Sequence, residues 1–355
     1  MPMETMIPNR VKDLVLTDPT YQPNEHPGLF IRLAVPLVND PRDLPFIRLM
    51  ALLTITVIPI AVSLYIPGIL TWWLASIYLA LVLGVFLGPF ILMLHNTSHR
   101  RLFRPRYAWM RHYIPWVLGP LFGETPDTYY AHHIGMHHPE NNLDDDLSCT
   151  MRYQRDSLGD FGRYLFRFMI RVVPDLAVYL RRHDRAVLRR RMLAGEISYY
   201  TTVAALLFVD WRATLIVFVI PLLFTRFAMM SGNWAQHAFI DPADPANCYR
   251  NSITCINSSY NRRCFNDGYH IGHHLKANRH WTEMPNDFLA NRDRYADEGA
   301  IVFEKIDYFV IWFLLMIRRY DLLANHYVDL SGENPSREEI IDLLKSRTRR
   351  IEQIP

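Results

Sequence analysis

Fifteen histidines occur among the 355 residues, and ten of them fall in four short groups. The groups are His95-Asn-Thr-Ser-His99, His132-His133-Ile-Gly-Met-His137-His138, Asn233-Trp-Ala-Gln-His237 and His270-Ile-Gly-His273-His274. Residues four apart share one face of a helix, so His95/His99, His133/His137, Asn233/His237 and His270/His274 are each expected to aim two side chains at one point. Neutral imidazole suits iron, copper, zinc and nickel, and this many imidazoles exceed the needs of one ion, so two metals are implied. A lone HxxxH recurs by chance on many helices. Four such groups, each at the end of an apolar segment or between two of them, do not. Of the adjacent pair His132-His133 one ligand is expected, and the four-residue interval to His137 favours His133. Asn233 is a weak ligand, expected to act through water. His26, His112, His183 and His280 read as surface or supporting residues.

The elements that must position these groups are apolar. Half of the chain is hydrophobic and 13% is aromatic. Ala51 to Leu94 carries no charged side chain over 44 residues, about twice the roughly 20 that a helix needs to cross a bilayer. Pro67-Gly68 breaks the block, which reads as a hairpin over 46–94. A second block, 192–232, is broken by Asp210-Trp211-Arg212 and reads as another hairpin, with Glu196 and Arg226 as charges inside it. Met1 to Arg10 holds no apolar core before a cleavage site, so a removable signal peptide is not expected.

Basic residues set the expected orientation. Arg100, Arg101, Arg104, Arg106 and Arg111 follow the first hairpin, and eleven arginines lie between Arg152 and Arg191. The turns at Pro67 and Asp210 are nearly free of them, which places the hairpin ends and all four histidine groups in the cytoplasm. A net charge of +3, clustered beside membrane segments, favours anionic lipid over nucleic acid. Cys149, Cys248, Cys255 and Cys264 fall in cytoplasmic segments, where disulfides are not expected, and no CxxC spacing supports a zinc site among them. One membrane-embedded domain over 1–355 is expected, with a cytosolic N-terminal segment at 1–45, cap segments at 95–191 and 233–300, and C-terminal helices to the end. Phe161 to Leu180, aromatic and aliphatic with arginines at helical intervals, suits a helix in the membrane interface. A helix packed on the cap reads equally well. Tyr308 to Ile317 is too short to span, and 332–355 reads as a charged, solvated helix.

Soluble di-iron proteins use Glu and Glu-x-x-His pairs, a carboxylate set absent here. The strings HNTSH, HHIGMHH, NWAQH and HIGHH resemble instead the histidine boxes of the membrane fatty acid desaturase and hydroxylase superfamily, over roughly Ile47 to Pro285. The resemblance implies an all-α integral membrane fold, four transmembrane helices in two hairpins, with a helical cytosolic cap carrying a di-iron site and a tunnel for the acyl chain. It implies iron ligation by His95, His99, His133, His137, His138, His237, His270, His273 and His274, with Asn233 as a water-mediated ligand, and molecular oxygen as co-substrate. Acyl-CoA desaturases usually place four residues inside the first box and have HxxHH as the second; the intervals of three found here are those of alkane hydroxylases. The string Tyr130 to Asn142, followed by Asp144-Asp145-Asp146, is most similar to a bacterial branch that includes terminal-alkene-forming fatty acid decarboxylases. That branch implies the bacterial inner membrane and a medium-chain free fatty acid as substrate, with desaturation or hydroxylation as the alternatives. A membrane metal-binding or transport protein is a distant one, since transporters place ligands near the bilayer midplane. Decarboxylation needs the substrate carboxylate held near the irons, and the arginines are too many for the sequence to choose one. No GxGxxG, CxxC cluster or His-Pro-Gly-Gly string is present (His26-Pro27-Gly28-Leu29 falls short), so electrons are expected from a ferredoxin and its reductase.

Overall fold

The computed structural model describes residues 14–23 and 28–352. The expectations for Met1 to Arg10 and for His26 therefore fall outside the described residues. The chain is mostly helical, and it divides into two compact units, Tyr21–Pro139 with Arg167–Met230, and Met1–Thr20 with Glu140–Phe166 and Ser231–Pro355. The helices that matter first are α1 (Pro41–Ser63), α2 (Trp72–His99), the short α3 (Thr128–His132), α4 (Leu158–Arg182), α5 (Ala186–Val209) and α6 (Trp211–Gln236).

Among the described residues, α1, α2, α5 and α6 are the four helices long and apolar enough to cross a membrane. In their most apolar stretches only 28 to 39% of the residues are buried, so the outward faces are as apolar as the inward ones. That is the pattern of a helix solvated by lipid. Polar side chains define where the helices start: Thr71 accepts a hydrogen bond from the Leu74 amide, and Asp210 accepts from the amides of Arg212 and Ala213. The break at Asp210-Trp211-Arg212 is thus an N-cap. Trp72, Trp73 and Trp211 stand exposed beside the two turns, where amphipathic rings favour a membrane surface.

The helices overrun the expected hairpin limits. α5 begins at Ala186, not 192, and takes in Arg189, Arg190 and Arg191, while α2 continues past Leu94 to His99. It can do so because Asn96, Thr97 and Ser98 each return their side chain to a carbonyl of the preceding turn, Leu92, Met93 and His95 respectively. Inside the first unit, Phe90 stacks on Phe122 with centroids 4.2 Å apart, and Tyr65 donates to Thr214 Oγ1 at 3.0 Å.

The second unit corrects the all-α expectation. Ile253–Ile256 (β1) pairs in parallel with Ile301–Glu304 (β2), Ile253 opposite Ile301. A parallel pair needs a long connection, and a four-residue strand inside an Asn-rich stretch gives no periodic signal. Here that connection carries α7 (His270–Leu275); after β2 come α8 (Tyr308–Met316) and α9 (Arg337–Arg347). The strands bury Ile256 and Val302 in a cluster with Tyr249, Tyr269, Ile271 and Phe288. α8 buries Ile311, Leu314 and Leu315 while Phe309, Val310 and Phe313 stay exposed, an apolar face suited to an interface. α9 starts on a capping box of Ser336 and Glu339 and seats Leu344 fully inside, so only its outer face is solvated. α4 is a single helix with Phe166 and Ile170 exposed and Tyr164, Leu176 and Leu180 buried.

Candidate metal centre

In the first unit the histidines converge from two elements. His95 and His99 project from the last turn of α2, and His133 follows α3. The ligand nitrogens of His95, His99 and His133 all lie within 4.8 Å of one another. His133 is central: its Nε2 is 2.9 Å from that of His99 and 3.1 Å from that of His138. The expected α-helical pairing of His133 with His137 is corrected here. His133–His137 is a π-turn, closed by the His138 amide donating to the His133 carbonyl, so the fifth residue rather than the fourth returns beside the first. The rings of His133 and His138 are 4.5 Å apart, those of His133 and His137 5.7 Å. His132 lies instead against His137 and edge-on to Phe168. Tyr129, one turn earlier on α3, stacks on His133 at 5.2 Å.

The second unit builds a matching group. His237 follows the end of α6, and its Nε2 is 3.2 Å from that of His270, which is 3.0 Å from that of His274. His273 stands aside, its ring 6.0 Å from His270 and 5.9 Å from His274. A tight loop sets α7: Cys255 N–H donates to Gly268 O, Asn261 bridges Cys255 O and Gly268 N–H, and Tyr308 OH donates to Gly268 O at 2.7 Å. A Cβ at Gly268 would stand 2.3 Å from the Cys255 oxygen, so no other residue fits.

Whether these residues suit a metal can be tested on their protons. A neutral imidazole has one N–H and one lone pair. Burial holds the His133 imidazole far below its ordinary range, hence neutral. One N–H on His133 can serve only one of its two short contacts, and the same holds for His270 between His237 and His274. His237 spends its Nδ1–H on the Asn251 carbonyl at 2.9 Å, which turns the Nε2 lone pair toward His270. A cation at each convergence point satisfies every lone pair at once, and an all-imidazole donor set suits iron. The residues fit two irons.

Supporting residues escaped the sequence reading. Asn251 orients His237, as ligating histidines commonly require. Asn251 Oδ1 in turn accepts from Asn142 at 3.0 Å, which gives the string after the second box a structural role, and Thr150 donates to the His237 carbonyl. Buried Asp146 accepts from the Asn142 and Ser148 amides. Asn233 gives its amide nitrogen to Ser148 O and Tyr164 OH, leaving Oδ1 as the end able to ligate. His280 is fully buried and caps Thr282, His183 stacks on Tyr179 and His112 adjoins Arg111. Burial pushes the Cys255 thiol far up and the Cys149 thiol to about 12, which disfavours thiolate ligation. No cysteine joins a metal-ligand group among the described residues.

The family model described as Fatty acid desaturase matches residues 40–305, well over half of the chain. No curated protein matches it.

Proposed function

The chain belongs to the fatty acid desaturase family, and from that membership we propose an oxygen-dependent, non-haem di-iron enzyme that oxidises the alkyl chain of a fatty acid. In its sharpest form it converts a medium-chain free acid to a terminal alkene. The balance is RCH2CH2COOH + O2 + 2e− + 2H+ → RCH=CH2 + CO2 + 2H2O: two electrons come from the substrate's C–H and C–C bonds and two from an external donor. The carrying observation is the pair of buried, carboxylate-free imidazole groups on a chain with four membrane-length apolar helices.

In this reading His95, His99, His133 and His138 hold one iron and His237, His270 and His274 the other, with His137 and His273 completing the set and Asn233 Oδ1 acting through water. Bound iron would supply oxygen reduction and hydrogen removal from an unactivated carbon. The chain's own part is to keep the imidazoles neutral by burial, to fix the His237 tautomer through Asn251, and to exclude water with Tyr129 and the apolar helices. The protein sits in the bacterial inner membrane with the site toward the cytoplasm, basic loops on anionic lipid, and takes electrons from a ferredoxin and its reductase.

Membranes containing the protein, given lauric acid, reductant and a ferredoxin system, should release undecene into the headspace. Hydroxylated or internally unsaturated acid without undecene would replace decarboxylation by hydroxylation or desaturation. Absence of oxygen consumption, with exchangeable zinc in place of two irons, would overturn the enzyme.

A further inference from the structure

A groove of about 540 Å³ opens in the first unit, walled by Ile170 and Val173 of α4 and Leu193 and Ile197 of α5, with Glu196 and Arg226 as its charged residues. Its volume is in the range of small-molecule sites. Ile197 is 66% and Ile170 58% exposed on the outward face, so a molecule dissolved in lipid can enter from the side. Arg226 is the arginine inside an otherwise apolar stretch of α6, where a charge is costly and marks function. Its guanidinium has no hydrogen-bond or ion-pair partner among the described residues, though its charge acts on Glu124. Glu196, 4% exposed, accepts from Thr125 and Thr128 on Oε1 alone, and its buried Oε2 has no partner. An unpaired guanidinium thus lines an apolar groove together with a buried carboxylate oxygen that lacks a donor.

We propose that this groove binds the fatty acid of the function above, its carboxylate paired with Arg226 and its first carbons against Ile170, Val173, Leu193 and Ile197. A planar guanidinium matches a carboxylate in a two-pronged pair, which selects a single-chain acid over the ester or alcohol of the same length. Glu196 shares the groove with Arg226, and a carboxylic head beside it requires one proton held between the two acids; Thr128 Oγ1 donates to Glu196 at 2.6 Å and begins α3, whose next residue after its end is His133. Five residues of helix rise roughly 7.5 Å. A single short helix thus links the groove's Glu196 to the imidazole of His133. This assigns to one residue the carboxylate contact that the arginine-rich sequence left open.

The inference rests on the fatty-acid reading, and a binding measurement separates the two. The purified full-length protein, with and without iron, is titrated in detergent with a dansyl-labelled undecanoic acid. Arg226→Gln is expected to weaken binding 10- to 100-fold, Arg226→Lys to weaken it less, and Ile197→Trp, which fills the groove while leaving the charge, to block it. Lauric acid should displace the probe; methyl laurate and phosphatidylglycerol should not. Wild-type binding by Arg226→Gln, or displacement by methyl laurate or phosphatidylglycerol as effective as by lauric acid, overturns the site. Tight, Arg226-dependent binding in a protein that makes no oxidised product upholds the site and removes the activity. Product formation with Arg226-independent binding does the reverse.

Discussion

Gly195 on α5 offers a test of how the metal ligands of the first unit are held. A Cβ there would stand 1.8 Å from the Pro126 carbonyl oxygen and 2.7 Å from its carbon. Ordinary contact begins at 3.4 Å, so Gly195→Ala must move the Pro126 backbone by 3.4 − 1.8 = 1.6 Å. The two donors to Glu196, Thr125 at 2.5 Å and Thr128 at 2.6 Å, stand one residue before Pro126 and two after it. Carried along by the same displacement, both hydrogen bonds open past 4 Å and break. Alanine favours a helix interior by about 1 kcal/mol over glycine. Overpacking opposes it by about 1–3 kcal/mol, and each lost bond to a charged group costs about 1.5–3 kcal/mol. With every opposing term at the low end of its range, the clash wins by about 3 kcal/mol. Thermal unfolding of the purified protein should fall by roughly 6–12 °C, at 2–4 °C per kcal/mol, and iron content should fall with it, because Thr128 begins the helix leading to His133. Gly84→Ala, whose added methyl meets nothing within 4 Å, is the control and should melt at or above the wild type. A Gly195→Ala protein that melts with that control, and keeps its iron, refutes the reasoning.

His138→Ala should lose iron and product, while His132→Ala, directed at His137 and Phe168, should keep both within a few-fold; metal analysis with the alkene assay distinguishes them. Asn251→Ala removes the side-chain acceptor of the His237 Nδ1 proton at 3.1 Å but keeps the backbone carbonyl at 2.9 Å, so it should weaken iron binding by no more than about 10-fold, measured by chelator competition. Burial raises the Glu124 carboxyl to about 8, so the folded protein keeps a proton that the unfolded chain loses near pH 4.5. Stability is therefore lost as pH rises through about 8. Glu124→Gln should melt with the wild type near pH 5 and above it at pH 9, and equal melting at both would count against the buried carboxyl.

What the sequence revealed follows from periodicity and local spacing. A bilayer demands long apolar helices, so the spans stood out, and Asp210-Trp211-Arg212 marked a break between two of them. The clustered histidines stood out because imidazole is scarce in apolar surroundings without a reason. What stayed hidden depends on non-local contact. β1 is four residues paired with a strand far along the chain, and Asn251 is one asparagine among many until the fold sets its carbonyl against His237. The groove was hidden for the same reason: Glu196 and Arg226 were visible as charges in an apolar block, but that they line one groove with α4 is a fact of packing.

The second box shows how a misread period can still bring the same histidines together. His133, His137 and His138 stand at i, i+4 and i+5; His270, His273 and His274 stand at i, i+3 and i+4. On uniform α-helix the two triplets would point differently. In the structure they are nearly superposable in their internal geometry: the outer pairs have Nε2 atoms 3.1 and 3.0 Å apart and ring centroids both 4.5 Å apart. The first-to-middle separations are 5.7 and 6.0 Å, and the middle-to-last are both 5.9 Å. The π-turn absorbs the extra residue, since its i→i+5 hydrogen bond places the sixth residue, His138, where an α-turn places the fifth, His274. Arg185 donates to the Gly135 carbonyl inside the turn, helping to hold backbone that a regular helix would satisfy itself. The longer interval therefore changes the helix and not the internal geometry of the histidine cluster, so the spacing that sets this chain apart from HxxHH sequences carries no information about its reaction by way of these histidines alone. Under the proposed function, selectivity among decarboxylation, desaturation and hydroxylation would come from how the acid is held, which is what the proposed groove at Arg226 would decide and the boxes would not.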